Sequence, residues 1–172
     1  MTGGTVVWLT GLSGSGKTTI ANALRDRLTK THLDVVVLDG DELRRTVSND
    51  LGFTNADRDE HVRRVGALAE REARRGKIVI VALISPYRAA RAAARENIER
   101  FARFIEVHVD APIDVLRARD PKGLYRKADA GELQRFTGVS DPYEPPLKPD
   151  VRIDTSESPV DAGVDAIIKF LC

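Results

Sequence analysis

Val6-Val7-Trp8-Leu9-Thr10-Gly11-Leu12-Ser13-Gly14-Ser15-Gly16-Lys17-Thr18 is the stretch that decides the architecture. Its first part is apolar at every position rather than every second one, the pattern of a strand buried on both faces. Residues 11–18 then satisfy G-x-x-x-x-G-K-[ST] in full, and helical sequence begins near Lys17. In a strand–loop–helix of this kind the glycines let the backbone curl until several N–H groups face a β-phosphate. The helix N-terminus adds its positive dipole end. Lys17 is expected to bridge the β- and γ-phosphates of ATP, and the Thr18 hydroxyl to ligate Mg²⁺. The nucleotide contacts expected from the stretch are Gly11, Ser13, Gly14, Ser15, Gly16, Lys17, Thr18 and Thr19.

Outward from this loop, further short apolar runs occur at Val35 to Leu38, Ile78 to Val81 and Phe104 to Val109, with a weaker one at Val151 to Ile153. Helical stripes lie between and after them, such as Val62, Val65, Ala69 and Ala73, and Val160, Val164, Ile167, Ile168 and Leu171. Alternating strand and helix predicts a P-loop α/β/α sandwich around a mainly parallel five-stranded sheet. At 172 residues the chain is expected to form a single domain, 1–172. Residues 120–149 break the rhythm: many charges, little apolar periodicity, and Gly123, Gly131, Gly138, Pro142, Pro145, Pro146 and Pro149. So long an irregular connection reads as a lid.

Composition narrows the class. Apolar residues make up 42% and charged residues 31%, with a net charge of +1, which suits a soluble protein and not a nucleic-acid binder. Pairs such as Arg63-Arg64 and Arg74-Arg75 read as phosphate ligands or solvated helix faces. The single cysteine, Cys172, has no internal partner and fits a reducing compartment. No secretion signal and no membrane span of ~20 apolar residues is expected, so the reading is cytoplasmic. A GTPase should carry Asn-Lys-x-Asp, which is missing; Asp120-Pro121-Lys122-Gly123 resembles Asp-x-x-Gly only by coincidence, since it follows a helical segment. Motor ATPases need extra modules. A small-molecule kinase remains.

The second apolar run ends in Leu38-Asp39-Gly40-Asp41-Glu42-Leu43-Arg44. Strand C-termini line the ligand crevice of a parallel sheet, so these carboxylates should face the phosphate loop. One can serve the Mg²⁺ shell and the other accept a proton from an acceptor hydroxyl. Helix capping is the plainer alternative, and both can hold together.

The acceptor side carries a resemblance. Asp39-Gly40-Asp41 with Arg44, then Gly52-Phe53, Asp57-Arg58 and Arg63-Arg64, then Ile84-Ser85-Pro86-Tyr87-Arg88, resembles the adenylyl-sulfate kinase family. Arg119 to Tyr125, Phe136-Thr137-Gly138 and Pro142-Tyr143-Glu144-Pro145 continue the series in the family's order to about Asp154. The resemblance implies transfer of the γ-phosphoryl of ATP to the 3′-hydroxyl of adenylyl sulfate, with Mg²⁺, by a homodimer. It implies Asp41 as base, Asp39 with Thr18 at the metal, and Phe53 and Phe136 on either side of the adenine. Arg44 and Arg58 would meet the phosphosulfate, Lys122 would close with the lid, and Ile84, Ser85 and Arg135 would line the acceptor. The family motif marks Ser85 as a phosphoserine intermediate. Direct in-line transfer needs only positioning and charge neutralisation, so Ser85 reads instead as an N-cap or a backbone contact at the crevice.

One position departs from the family's pattern. His61 stands where an asparagine that contacts the substrate is usual. An imidazole can exchange one hydrogen bond there and could bring pH dependence near neutrality. His32 and His108 read as structural. Two rivals stay open: a kinase of another small hydroxyl compound or nucleotide, and a catalytically silent nucleotide-binding module. Neither accounts for both the intact Lys17, Thr18 and Asp41 and the two loop phenylalanines.

Overall fold

Five strands, all parallel, form one sheet in the order β2-β3-β1-β4-β5 in a computed structural model that describes residues 3–171. Cys172 lies outside the described residues. The elements are β1 (Thr5–Thr10), α1 (Lys17–Thr29), β2 (Val35–Asp39), α2 (Gly40–Arg45), α3 (Asn55–Ala73), β3 (Ile78–Ala82), α4 (Arg88–Glu99), β4 (Arg103–Asp110), α5 (Ile113–Arg119), α6 (Leu124–Asp129), β5 (Val151–Asp154) and α7 (Val160–Leu171). Between α6 and β5 the chain has no regular element.

The period-2 alternation of strand side chains divides the core into two layers. Val7, Leu9, Ile80, Ile105 and Val107 face α1 and α7, where Ile20, Leu24, Val164 and Ile167 complete one cluster. Val6, Trp8, Val79, Val81 and Phe104 face α3 and α4, with Val62, Val65, Ala69 and Ile98. The central strand β1 is therefore buried on both faces, as its apolar run predicts. The edge strands depart from that expectation. β2 is half-buried at every position, and β5 alternates, with Val151 and Ile153 inward and Arg152 exposed.

Arg63 and Arg64 pair with Glu60, and Arg74 with Glu70, along the outer face of α3. They are solvated helix-face residues rather than phosphate ligands. Asp120 ends α5 and accepts from the backbone N–H groups of Tyr125 and Arg126, so Asp120-Pro121-Lys122-Gly123 is a helix-to-helix turn and no nucleotide switch. Among the described residues no helix is long and apolar enough to cross a membrane.

Candidate active site

The strand ends at Thr10 and the loop turns at once. A Cβ on Gly11 would lie 2.1 Å from the Val109 carbonyl oxygen, so only glycine lets β1 pass β4 here. Gly16 caps α1 at φ 102, a left-handed conformation in which glycine has no steric penalty. The loop's carbonyls are drawn outward. Ser13 O accepts from Tyr125 Oη (2.7 Å), Ser15 O from Thr155 Oγ1 (2.7 Å) and Gly14 O from Arg119 (3.4 Å). With its carbonyls turned away, the loop presents N–H groups, joined by the unpaired N–H groups of the first turn of α1, as a cradle for an anion. Arg119, Tyr125 and Thr155 have no place in the loop's own motif. Arg119 and Tyr125 belong to a block the resemblance quotes, but only these long-range contacts show that they, with Thr155, hold the loop.

Lys17 folds back over the loop and donates to Leu12 O at 2.9 Å. Burial pushes its pKa down to about 8, partly opposed by Asp41 and Asp39, while Lys122 adds to the lowering. A partly desolvated cation beside an N–H cradle is a site awaiting several negative charges.

Thr18 Oγ1 donates to Asp39 Oδ2 at 2.7 Å, so the two residues expected at the metal meet across 21 positions of sequence. The other oxygen, Oδ1, accepts from the backbone N–H of Asp41 at 3.0 Å and makes Asp39 the N-cap of α2. The capping reading thus holds for Asp39, while its other oxygen stays turned to Thr18. A hydroxyl and a carboxylate are hard oxygen donors, and Mg²⁺ typically takes one or two protein oxygens together with phosphate oxygens and water. The residues fit that ion.

Asp41, exposed on the first turn of α2, pairs with Lys122 from the turn between α5 and α6. The start of residues 120–149 therefore meets the first turn of α2. Arg44 donates to Gly52 O at 2.7 Å and lies 4.9 Å from the Phe53 ring centre. Burial first, and then neighbouring Arg58, lower its pKa. Phe53 is 59% exposed, so it is no core plug. Phe136 behaves differently: it meets Tyr125 edge-on at 5.1 Å and packs on a small cluster with Leu116. Arg58 is only 7% exposed. Its guanidinium donates to Phe53 O (3.1 Å), Thr137 Oγ1, Arg135 O and Asp141 Oδ2 (3.2 Å), tying α3 to the irregular segment and leaving little of the fork free. Arg135 itself is exposed.

Two expectations are corrected. Ser85 is not an N-cap, since Tyr87 holds that position for α4. Nor does its hydroxyl open into the crevice: the residue is 2% exposed, and Oγ accepts from Trp8 Nε1 at 3.1 Å. Beside it, Ile84 O accepts from Thr10 Oγ1 at 2.7 Å. His61 is 5% exposed, with Nδ1 2.8 Å from Ser48 Oγ and Nε2 without a hydrogen-bond partner. Burial, then Arg44 and Arg64, push its pKa down to about 4, which removes the expected pH dependence near neutrality. His108, buried in β4, stacks on Tyr143 at 6.0 Å and is structural, as expected. A cavity of about 740 Å³ lies between the end of β4, α5 and residues 138–149; it touches the phosphate loop at Leu12 and Ser15 but holds none of the acceptor residues.

This geometry agrees with comparisons to known proteins. A family model described as adenylylsulphate kinase matches residues 3–154. The chain belongs to that family. It is 51% identical over 168 residues to an adenylyl-sulfate kinase of Synechococcus sp. (strain JA-3-3Ab), covering 98% of this chain and 94% of the relative. Against one of Myxococcus xanthus (strain DK1622) it is 52% identical over 169 residues, covering 98% and 91%. A solved structure of the Mycobacterium tuberculosis APS kinase CysC in complex with AMPPNP and APS superposes with a TM-score of 0.95 at 41% identity, covering 99% of both chains. The family match ends at Asp154, where the ordered series of motifs also ends.

Proposed function

We propose that this chain is an adenylyl-sulfate kinase, transferring the γ-phosphoryl of ATP to the 3′-hydroxyl of adenylyl sulfate and yielding 3′-phosphoadenylyl sulfate and ADP. The observation that carries the reading is the run of contacts Lys122–Asp41–Asp39–Thr18, which joins lid, acceptor helix and phosphate loop. Two nucleotides meet there, one on the loop and one on the α2–α3 side.

Lys17 and the loop N–H groups bind the ATP phosphates and hold the γ-phosphoryl in line. Thr18 and Asp39 would hold Mg²⁺, which when bound offsets charge on the phosphate oxygens. Asp41 takes the proton from the 3′-hydroxyl, and Lys122, its present partner, moves to the transferring group as the acceptor enters. Phe53 stacks on one face of the adenine and Phe136 on the other. Arg44, with Arg58 behind it, meets the phosphosulfate, where a planar fork suits anionic oxygens. His61, Arg135 and the backbone of Ile84 and Ser85 line the acceptor. No base sits on the Ser85 hydroxyl, whose one side-chain partner is a donor, so transfer is direct and passes through no phosphoserine.

The 172-residue chain works as one domain with residues 120–149 as its lid, in the cytoplasm, and as a homodimer. The test is ADP release from ATP and Mg²⁺ with adenylyl sulfate, with AMP, and with no acceptor. Release that depends on adenylyl sulfate is expected; stimulation by AMP alone, or by neither, sinks the acceptor assignment. Asp41→Asn should lower kcat by roughly 10²–10⁴-fold with little change in nucleotide affinity. Equal losses in both would remove Asp41 from the role of base.

A further inference from the structure

We infer that Arg91, outside both nucleotide sites, is a positioning residue that holds the acceptor loop at residues 84–87 and the returning limb of the lid at 142–145 as one unit. Arg91 sits on α4 and is 2% exposed. Its fork reaches three structures at once. Nε donates to the Glu106 carboxylate of β4 at 3.0 Å, Nη1 to Ser85 O at 2.6 Å and Nη2 to Glu144 O at 2.7 Å.

The limb it grips is Pro142-Tyr143-Glu144-Pro145, a motif for which phosphoryl transfer has no direct use. Glu144 is bound a second and third time: its N–H donates to Pro86 O at 2.8 Å, and its carboxylate accepts from Arg88 N at 2.8 Å. Arg88 is the first residue of α4, whose N-cap Tyr87 offers no side-chain cap, so Glu144 supplies the missing acceptor from another part of the chain. Arg88 Nε returns a bond to Pro145 O at 2.7 Å. Tyr143 Oη lies 3.0 Å from Thr10 Oγ1, next to the first glycine of the phosphate loop. The prolines on either side fix φ and keep the limb stiff.

The acceptor loop needs such holding. Ser85 has φ 42, a left-handed conformation that a non-glycine residue keeps only when its surroundings over-determine it. Here the determinants are Arg91 on Ser85 O, Thr10 on Ile84 O and Trp8 on Ser85 Oγ. One guanidinium therefore sets both the backbone that faces the acceptor and the base on which the lid turns. A lysine keeps the charge toward Glu106 but cannot span two carbonyls with a rigid fork.

The inference rests on adenylyl sulfate being the acceptor. Turnover of the unmodified chain tests that reading separately, so only the difference between variants and the unmodified chain bears on Arg91. In Arg91→Lys, KM for adenylyl sulfate should rise about tenfold, the loss of a hydrogen bond to a charged donor, while Kd for ATP alone stays within about twofold. Amide exchange should quicken in 84–87 and 142–145 together and stay unchanged in β1. Tyr143→Phe, which removes one hydroxyl, should raise the same KM by roughly threefold, and it serves if the lysine variant does not fold. Equal weakening of both nucleotides, faster exchange throughout the sheet, or an unchanged KM for adenylyl sulfate in the variant tested would reduce Arg91 to a stabiliser of α4 on β4 and overturn the proposal.

Discussion

Replacing Lys17 with methionine should make the protein inactive and more stable. Desolvation holds the Lys17 pKa at about 8 instead of 10.5. Below pH 8 both folded and unfolded chains carry the charge, so the folded state bears the whole burial penalty. From pH 8 to 10.5 the folded chain sheds its proton first, and above 10.5 the penalty is gone. At pH 7 the shift corresponds to about 3 kcal/mol, at roughly 1.4 kcal/mol per tenfold. Methionine keeps the aliphatic stem but loses the charged bond to Leu12 O, a loss of about 1.5 kcal/mol. The net gain is about 1.5 kcal/mol, or a Tm higher by roughly 3–6 °C for a chain of this size. Urea unfolding of both proteins at pH 7 and at pH 10.5, beside a turnover assay, measures it. A Lys17→Met variant no more stable at pH 7, or equally stabilised at both pH values, would refute the reasoning, because the gain must follow the charge. Stability given up at a site that binds anions is a common cost of function.

The same lysine sets the pH dependence of nucleotide binding. ATP affinity should be constant up to about pH 8 and then fall by about tenfold per pH unit; calorimetry from pH 7 to 9.5 checks it, and a flat profile contradicts it. His61, held at about 4 against 6.5 in the unfolded chain, binds its proton first when unfolded, so stability should fall as pH drops from 6.5 towards 4. His61→Asn should remove that acid-side loss, and an imidazole resonance titrating near 6.5 in the folded protein would contradict the assignment. Phe53→Ala should raise KM for adenylyl sulfate by about tenfold with Tm unchanged, because the ring is exposed. Phe136→Ala should also lower Tm, because that ring packs on Tyr125; kinetics and melting curves of the two variants give the comparison.

Most features legible in the sequence are set by residues a few positions apart. The phosphate loop lies within eight residues, and the burial of β1 follows from its own apolar run. The carboxylates after β2 could be placed facing the phosphate loop because strand C-termini gather at one edge of a parallel sheet, and the 2.7 Å contact of Asp39 with Thr18 agrees with that rule. His61 was legible as a position and not as an environment. Its pKa depends on burial and on Arg44 and Arg64, which periodicity does not report.

Arg44 and Arg58 mark where that limit falls. Arg44 lies in the last turn of α2 and Arg58 in the first turn of α3, and sequence pattern assigns them one role. Arg44 makes one hydrogen bond, to Gly52 O, and stays half-exposed. Arg58 is buried because Thr137, the Arg135 carbonyl and Asp141 come to it from a segment more than 70 residues later. A guanidinium is a ligand when its fork points at empty crevice and a clasp when the chain has already filled it. What fills it is the path of residues 135–141, an irregular segment with no period to read. Deciding between ligand and clasp therefore requires the path of residues 135–145, and for Arg91 as for Arg58 that path supplies the partners that bind the fork.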